Sequence, residues 1–162
     1  MRIRTRPYRS YEGRYCRAIS LYRTTADRYA GAEYADQARY QLAALYRKTG
    51  VSDSARYHLG LLAQRSDKPQ FASNALYELG TILLREKRYE EAVVQYERVR
   101  QEYAGYEDWY TLSLLALGEC YEALKRFDEA RDVYEMVMRL RPDDDYGKTA
   151  DARIKRLKKV RR

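Results

Sequence analysis

Apolar residues recur three and four positions apart through most of the chain, a spacing that places them along one face of an α-helix. One such stripe runs through Tyr89, Ala92, Val93 and Tyr96. No stretch alternates apolar and polar residues for long enough to predict a β-strand. The pattern therefore predicts an all-α protein, with helices that begin near residues 14, 34, 52, 71, 89, 109, 127 and 146.

The same short sequence returns at a nearly fixed interval. Its alanine occurs four times, at intervals of 37, 37 and 38, and a bulky side chain follows each alanine four positions later: Ala18, Ala55, Ala92 and Ala130. A fixed period of this length is typical of a solenoid of stacked helix pairs. The period thus predicts that helices pair in order along the chain.

The last predicted helix has the pattern of the first helix of a pair. Its apolar positions match, three periods later, those of the helix near residue 34: Ala150, Ile154 and Leu157 against Ala38, Leu42 and Leu45. No partner helix follows it in this sequence, and its remaining positions are rich in Lys and Arg. We expect it to act as a capping helix with a polar exterior.

Local signals predict where helices begin and end. Gly50 is expected to make the turn inside one pair, Ser52 to cap the following helix, and Pro69 to lie in a first helical turn. Proline is unfavourable inside a helix, so Pro7 predicts that residues 1–12 are irregular or only partly helical.

Further positions recur in the third and fourth repeats, where two leucines and a glycine precede the alanine and a tyrosine follows it. They are Leu76, Leu79, Gly80, Ala92 and Tyr96, and then Leu114, Leu117, Gly118, Ala130 and Tyr134. The glycines have no side chain, so the paired helices can approach closely there. In the second repeat Ala43 replaces the glycine.

At these spacings the chain resembles the tetratricopeptide repeat family over residues 14–160. The resemblance implies a right-handed α–α superhelical solenoid of about three and a half to four repeats with a C-terminal capping helix. A single domain is expected, made of a half repeat, three repeats and the cap: residues 1–33, 34–69, 70–106, 107–142 and 146–160.

The period, 37 or 38, is longer than the usual value of about 34. In this respect the chain is similar to long variants in bacterial envelope proteins, such as the periplasmic partner of the Tol-Pal system and the lipoprotein of the outer-membrane barrel assembly machine. That similarity implies a cell-envelope or periplasmic location if the N-terminus has been trimmed. No leader peptide is visible in the sequence, which leaves the cytoplasm as the alternative.

Charge is concentrated at the two ends of the chain. Residues 1–50 carry 11 Lys and Arg against 4 acidic residues, and residues 151–162 carry 7 against 1. With a net charge of +8, the middle hundred residues are therefore acidic. Basic ends raise the possibility of an anionic partner.

The sequence contains no set of residues that suggests catalysis or metal binding. His58 is the only histidine, and Cys16 and Cys120 both lie in apolar helical pattern, where we expect them to be buried. One histidine and two distant cysteines do not make a zinc site. Phosphate-binding loops and nucleophile motifs are absent from the sequence as well. We therefore expect no enzymatic activity and no cofactor.

The family resemblance implies that the first helices of the pairs line a concave groove that binds a peptide or a partner protein. The groove-facing residues predicted by register are Gln37, Tyr40, Ala44, Arg47 and Lys48, then Asn74, Tyr77, Thr81 and Arg85, and then Leu112, Leu115, Glu119 and Glu122. Tyrosine and arginine often carry interface energy. Arg47, Lys48 and Arg85 would make one end basic, which suits an acidic or C-terminal carboxylate ligand. The clamp of chaperone-binding members needs Lys and Asn where this chain has Tyr40 and Ala44.

Two other kinds of partner remain open. The basic segment 155–162 favours a nucleic acid or an anionic membrane surface, although a solvated helix cap has the same composition. Nucleic acid is the less expected partner, because the glycine and alanine positions are those of the protein-binding repeat. The incomplete repeat at each end also favours self-association, either as a homo-oligomer or as a subunit of a larger complex.

Overall fold

The computed structural model describes residues 8–29, 32–65 and 67–160. Within these residues the protein is all-α. The helices are α1 (Tyr8–Arg28), α2 (Glu33–Lys48), α3 (Ser52–Ala63), α4 (Pro69–Arg85), α5 (Tyr89–Glu102), α6 (Glu107–Ala123), α7 (Phe127–Leu140) and α8 (Asp145–Val160). The predicted architecture of consecutive helix pairs is confirmed.

The chain forms two compact units, Met1–Gln64 and Arg65–Arg162. In the first unit, α2 packs against both α1 and α3. In the second unit each helix packs on the next along the chain, and α6 also contacts α4 and α8. Helices α4, α6 and α8 of the second unit are therefore lateral neighbours. The extent of the single predicted domain stays a prediction.

The turn inside each helix pair has a left-handed residue at the same place in the repeat. Gly50, Lys87 and Lys125 have φ angles of 79°, 61° and 61°, and they occupy equivalent positions in successive repeats. The next N–H then returns to a carbonyl of the preceding helix, as in the 2.8 Å bond from Val51 to Tyr46. This hydrogen bond is typical of a Schellman motif, in which glycine is the usual left-handed residue.

Two glycines of the second unit lie directly beneath tyrosine rings. A Cβ atom built on Gly80 would lie 2.5 Å from Cε1 of Tyr96, and one built on Gly118 would lie 2.4 Å from Cε1 of Tyr134. The two tyrosines are 0% and 1% exposed, so neither ring has room to move away. The close helix approach expected at these glycines is confirmed.

The second repeat fills the same positions with a different pair of side chains. Ala43 and Leu59 stand one period before Gly80 and Tyr96, and both are buried. The added methyl group of the alanine is matched by a smaller partner side chain. The repeats thus keep the position of the helix contact, and a larger side chain on one helix is compensated by a smaller one on the other.

The capping helix is held by apolar packing and by two ion pairs. Ala150, Ile154 and Leu157 are buried, and α8 packs on α7. Arg153 lies 3.4 Å from Glu122 of α6, and Arg156 also pairs with that carboxylate. The predicted apolar face of this helix is confirmed.

The start of α8 is fixed by an aspartate and a glycine. The carboxylate of Asp144 accepts hydrogen bonds from the backbone N–H groups of Tyr146 at 2.8 Å and Gly147 at 3.1 Å, as a capping residue does. Hydrogen bonding from Arg141 lowers the pKa of Asp144, and these two amide bonds add to the effect. A Cβ atom on Gly147 would lie 1.9 Å from the carbonyl oxygen of Arg141, so any residue other than glycine would clash with the backbone here.

The prediction that both cysteines are buried is wrong for Cys16. Cys120 is buried, but Cys16 is exposed. Helix α1 packs on α2 through one face, and Cys16 lies outside that contact. Helical periodicity identified an apolar position without showing whether another helix covers it.

Two predicted helix boundaries also change. The N-cap of α3 is Val51, and it makes no side-chain capping bond, so the predicted cap Ser52 is instead the first helical residue. Helix α1 begins at Tyr8, which makes residues 8–12 helical. Residues 1–7 lie outside the described part of the chain. Pro69 lies in the first turn of α4, as predicted.

Gly80→Ala is expected to lower the free energy of unfolding by about 1–3 kcal/mol, because the new methyl group overpacks against the Tyr96 ring. Adding Tyr96→Leu copies the natural pair Ala43 and Leu59. The double variant should then be more stable than the sum of the single effects by at least about 0.5 kcal/mol in urea denaturation. Gly60→Ala is the matched control, because nothing lies within 4 Å of its added Cβ, and it should stabilise by about 0.5–1 kcal/mol. Strict additivity would contradict the contact.

Lys125→Gly is expected to raise the free energy of unfolding by about 1 kcal/mol, since lysine is strained at a positive φ and glycine is not. Lys87→Gly should behave in the same way. Gly50→Lys is the reverse change in the equivalent turn and should lower stability by a similar amount. Thermal or chemical denaturation checks all three signs, and destabilisation by Lys125→Gly would rule out the left-handed turn.

Only Cys16 is expected to react with a thiol reagent in the native protein. Burial raises the pKa of the Cys120 thiol to about 12, which leaves almost no thiolate at neutral pH. Counting labelled thiols by mass spectrometry should give one rapid modification, at Cys16, and a second only after unfolding. Rapid native labelling of Cys120 would show that α6 is packed differently.

Candidate functional site

In the second unit, α4, α6 and α8 line a cavity of about 180 Å³, to which α7 also contributes one side chain. Four of the predicted groove residues meet there, namely Tyr77, Leu112, Leu115 and Glu119. The other side chains that line it are Ala116, Tyr134, Thr149 and Arg153. The repeat register thus brings residues far apart in sequence onto one surface.

An aromatic group stands beside this cavity. The ring centroid of Tyr77 lies 5.6 Å from that of Trp109 and 6.1 Å from that of Tyr96. Aromatic pairs at such separations contribute about 0.5–1.5 kcal/mol beyond their buried area. Tyr77 and Trp109 are both partly exposed, so they combine a fixed position with an accessible edge.

The polar side chains around the cavity differ in how they are used. The hydroxyl of Tyr134 donates to Glu122 at 2.7 Å, and Arg153 pairs with the same carboxylate. Burial and the nearby carboxylate raise the pKa of Tyr134 well above its ordinary value, so its hydroxyl remains a donor. Glu119 is exposed and forms no ion pair within the described part of the chain. Its carboxylate is therefore the available charge of the site.

The remaining predicted residues of the second unit lie around this surface. Thr81 shares a hydrogen bond of 3.3 Å with the Tyr96 hydroxyl. Asn74 is partly buried, and its Oδ1 has no hydrogen-bond partner among the described residues. Arg85 is exposed in the last turn of α4. None of these three lines the cavity.

Five predicted groove residues belong to α2 in the first unit, and one of them, Ala44, is partly buried. Gln37 is exposed and Tyr40 is partly buried. Arg47 and Lys48 are both exposed in the last turn of α2. The Lys48 ammonium lies 5.3 Å from the centre of the Tyr15 ring, in cation–π geometry. The predicted basic end of the groove combines residues of both units and stays a prediction.

Sequence reasoning did not assign five residues at or beside the cavity to the groove: Trp109, Ala116, Tyr134, Thr149 and Arg153. A signal for Thr149 existed, because it stands at the register of Gln37, Asn74 and Leu112. The last helix was interpreted only as a cap, and its groove face was not considered. Residue 109 was predicted only as the start of a helix, although a tryptophan that begins a first helix can also face the groove.

No group of three or more His, Cys, Asp or Glu able to hold a metal occurs among the described residues. None of the described helices has the length and apolar character needed to cross a bilayer.

Comparison with known proteins identifies the same segment. Residues 71–143, just under half of the chain, match the family model described as tetratricopeptide repeat. No curated protein matches the chain. The matched segment spans the helix pairs α4–α5 and α6–α7, which carry both glycine–tyrosine contacts. The match supports the assignment of these two helix pairs as tetratricopeptide repeats.

Proposed function

We propose that this protein is a non-enzymatic interaction module that binds a peptide segment of a partner protein on the face formed by α4, α6 and α8. Tetratricopeptide repeats generally mediate protein–protein interaction. The observation that carries the proposal is the cavity at which Tyr77, Leu115 and Glu119 meet. The envelope location and the likeness to the two envelope proteins remain predictions.

The size of the cavity defines what enters it. At about 180 Å³ it is smaller than the roughly 300–1,000 Å³ pockets that enclose drug-sized ligands. It has room for one large side chain projecting from a bound peptide. Leu112, Leu115 and Ala116 supply apolar contact, so a large aliphatic or aromatic side chain is the occupant that fits best.

The rim of the cavity holds the peptide in place. The aromatic edges of Tyr77 and Trp109 offer contact area at a low cost in conformational entropy, since each side chain has only two rotatable angles. Glu119 presents its carboxylate to the backbone and neighbouring side chains of the peptide, whereas Arg153 is already paired with Glu122. Such a site has an apolar centre and a polar rim, as protein interfaces do.

Three cations of α8 are less available for an anionic partner than the sequence suggested. Arg153 and Arg156 both pair with Glu122, and Lys155 pairs with Asp151 at 2.6 Å. The outward face of α8 is charged, which also disfavours docking of a second copy on that face. The peptide groove is therefore the function that the geometry supports best.

Leu115→Glu is expected to weaken peptide binding at least tenfold, which corresponds to about 1.4 kcal/mol. Peptides are first selected from a displayed random library on the immobilised full chain and then titrated in solution. Trp109 is the only tryptophan, and its emission reports binding next to Tyr77. The loss follows from placing a carboxylate in the apolar centre of the cavity.

Val94→Glu is the matched control, since Val94 is 55% exposed on α5 and takes no part in the cavity. It should leave the affinity within about twofold. Circular dichroism of both variants checks that the fold is kept. If selected peptides bind the Leu115→Glu and wild-type chains equally well, the groove is not the binding site. Binding that instead falls steeply with salt would favour the basic ends.

A further inference from the structure

An arginine–glutamate pair closes two of the three hairpin turns. Nε and Nη2 of Arg88 each lie 2.6 Å from a carboxylate oxygen of Glu91. Arg126 donates to the Glu129 carboxylate through the same two nitrogens, with Nε 2.7 Å from Oε2. Each arginine is the N-cap residue of the second helix of its pair. The side chain therefore lies along the junction between the two helices.

The hairpin of the first unit lacks this pair. Val51 and Ser54 stand one period before Arg88 and Glu91. Val51 is again the N-cap residue, and it is 45% exposed. Two long charged side chains are thus replaced by two short ones at an otherwise unchanged turn.

The replacement coincides with a cavity. In the fourth repeat, the guanidinium carbon of Arg126 lies 4.6 Å from the ring centre of Tyr121. The counterpart of Tyr121, two periods earlier, is Tyr46. A cavity of about 470 Å³ adjoins Tyr46 within the first unit, and its lining residues are Arg23, Asp27, Tyr46, Asp53, Ser54, Tyr57 and His58.

Three neighbouring aromatic rings form one side of this cavity. The rings of Tyr46 and His58 are parallel to within 7°, with centroids 5.7 Å apart. The ring of Tyr57 stands edge-on to His58 at 5.1 Å. Tyr57 is 64% exposed, so it offers an accessible aromatic face. Arg23 donates a hydrogen bond to the Tyr46 hydroxyl, which places it at the oxygen end of that ring.

The charge of the cavity contrasts with that of its surroundings. Residues 1–64 carry 12 Lys and Arg but only 5 acidic residues, and two of those five line this cavity, namely Asp27 and Asp53. Asp53 pairs with Arg56, whereas Asp27 has no ion-pair partner among the described residues. The lining therefore carries one cation, Arg23, and two carboxylates, of which Asp27 is unpaired and available to a cation beside an exposed aromatic ring.

The histidine does not cancel this preference. Its Nδ1 is buried and has no hydrogen-bond partner among the described residues. Burial, followed by the charge of Arg23, lowers the pKa of His58. The imidazole is then neutral at pH 7, and it adds a polar atom to the cavity wall without adding a positive charge.

We propose that this cavity binds an arginine side chain from a partner protein, at a site distinct from the groove of the second unit. The guanidinium lies on the face of Tyr57 and pairs with Asp27, in a cavity beside the turn at which two other repeats carry an arginine of their own. A cation over an exposed ring is held only weakly. A single free arginine derivative is therefore expected to bind with a dissociation constant of roughly 1 mM or weaker.

The imidazole of His58 is a unique reporter, because the chain has no other histidine. We would follow its Hε1 resonance by proton NMR in the full chain at constant pH and ionic strength. N-acetyl-arginine amide should shift the resonance saturably. N-acetyl-citrulline amide has nearly the same shape without the charge, and it should give a shift at least threefold smaller at equal concentration.

Two variants locate the response. Asp27→Asn should weaken the arginine response at least threefold, whereas Asp132→Asn on α7 should leave it unchanged. Val51→Arg with Ser54→Glu restores the pair found in the other turns and should fill the cavity, which removes the response while the fold is kept. The same variant should not affect peptides bound in the groove.

The opposite results would overturn the proposal. An equal shift with the citrulline derivative would show that charge is not recognised, and a saturable shift with inorganic phosphate alone would show an anion site at Arg23. An unchanged arginine response in the Val51→Arg, Ser54→Glu variant would place binding outside the cavity. If no peptide binds in the groove of the second unit, the arginine response of His58 is still expected. The two proposals can therefore be contradicted independently.

Discussion

The second unit depends on one steric constraint, the contact between a tyrosine ring and the glycine of the facing helix. Tyr96 and Tyr134 are buried against Gly80 and Gly118, at distances where no other residue has space for a side chain. Because a core packs at nearly crystalline density, this contact fixes both the spacing and the register of each pair. The neighbouring first helices, and the cavity between them, follow from that register.

Since the register is fixed by few positions, the surfaces of the repeats are free to differ. On α4 and α6 the equivalent positions are Tyr77 and Leu115, an aromatic side chain and an aliphatic one, and together they border a cavity sized for one side chain. At the hairpin turns the same freedom replaced an arginine–glutamate pair by Val51 and Ser54. The surfaces differ here by substitution at positions that the helix contact does not need, which is typical of repeat proteins.

Much of this fold is visible in the sequence, because helical spacing and the repeat period are properties of the chain itself. The repeat register, together with the family resemblance, predicted that Tyr77, Leu115 and Glu119 share one surface. Burial of Cys16 was predicted wrongly, since periodicity does not reveal which helix faces are covered. The left-handed turns at Lys87 and Lys125 could not be predicted, because neither has the glycine that usually marks such a turn. The cavity beside His58 joins side chains of three helices, and only coordinates bring them together.

Nuclear Overhauser effects between the glycine Hα protons and the tyrosine ring protons test the central contact most directly. We predict strong effects between Gly80 and Tyr96 and between Gly118 and Tyr134, with both glycine Hα resonances displaced by the ring currents. Their absence in the folded protein would show that the rings do not lie on the glycines, and the register from which the groove was derived would be wrong.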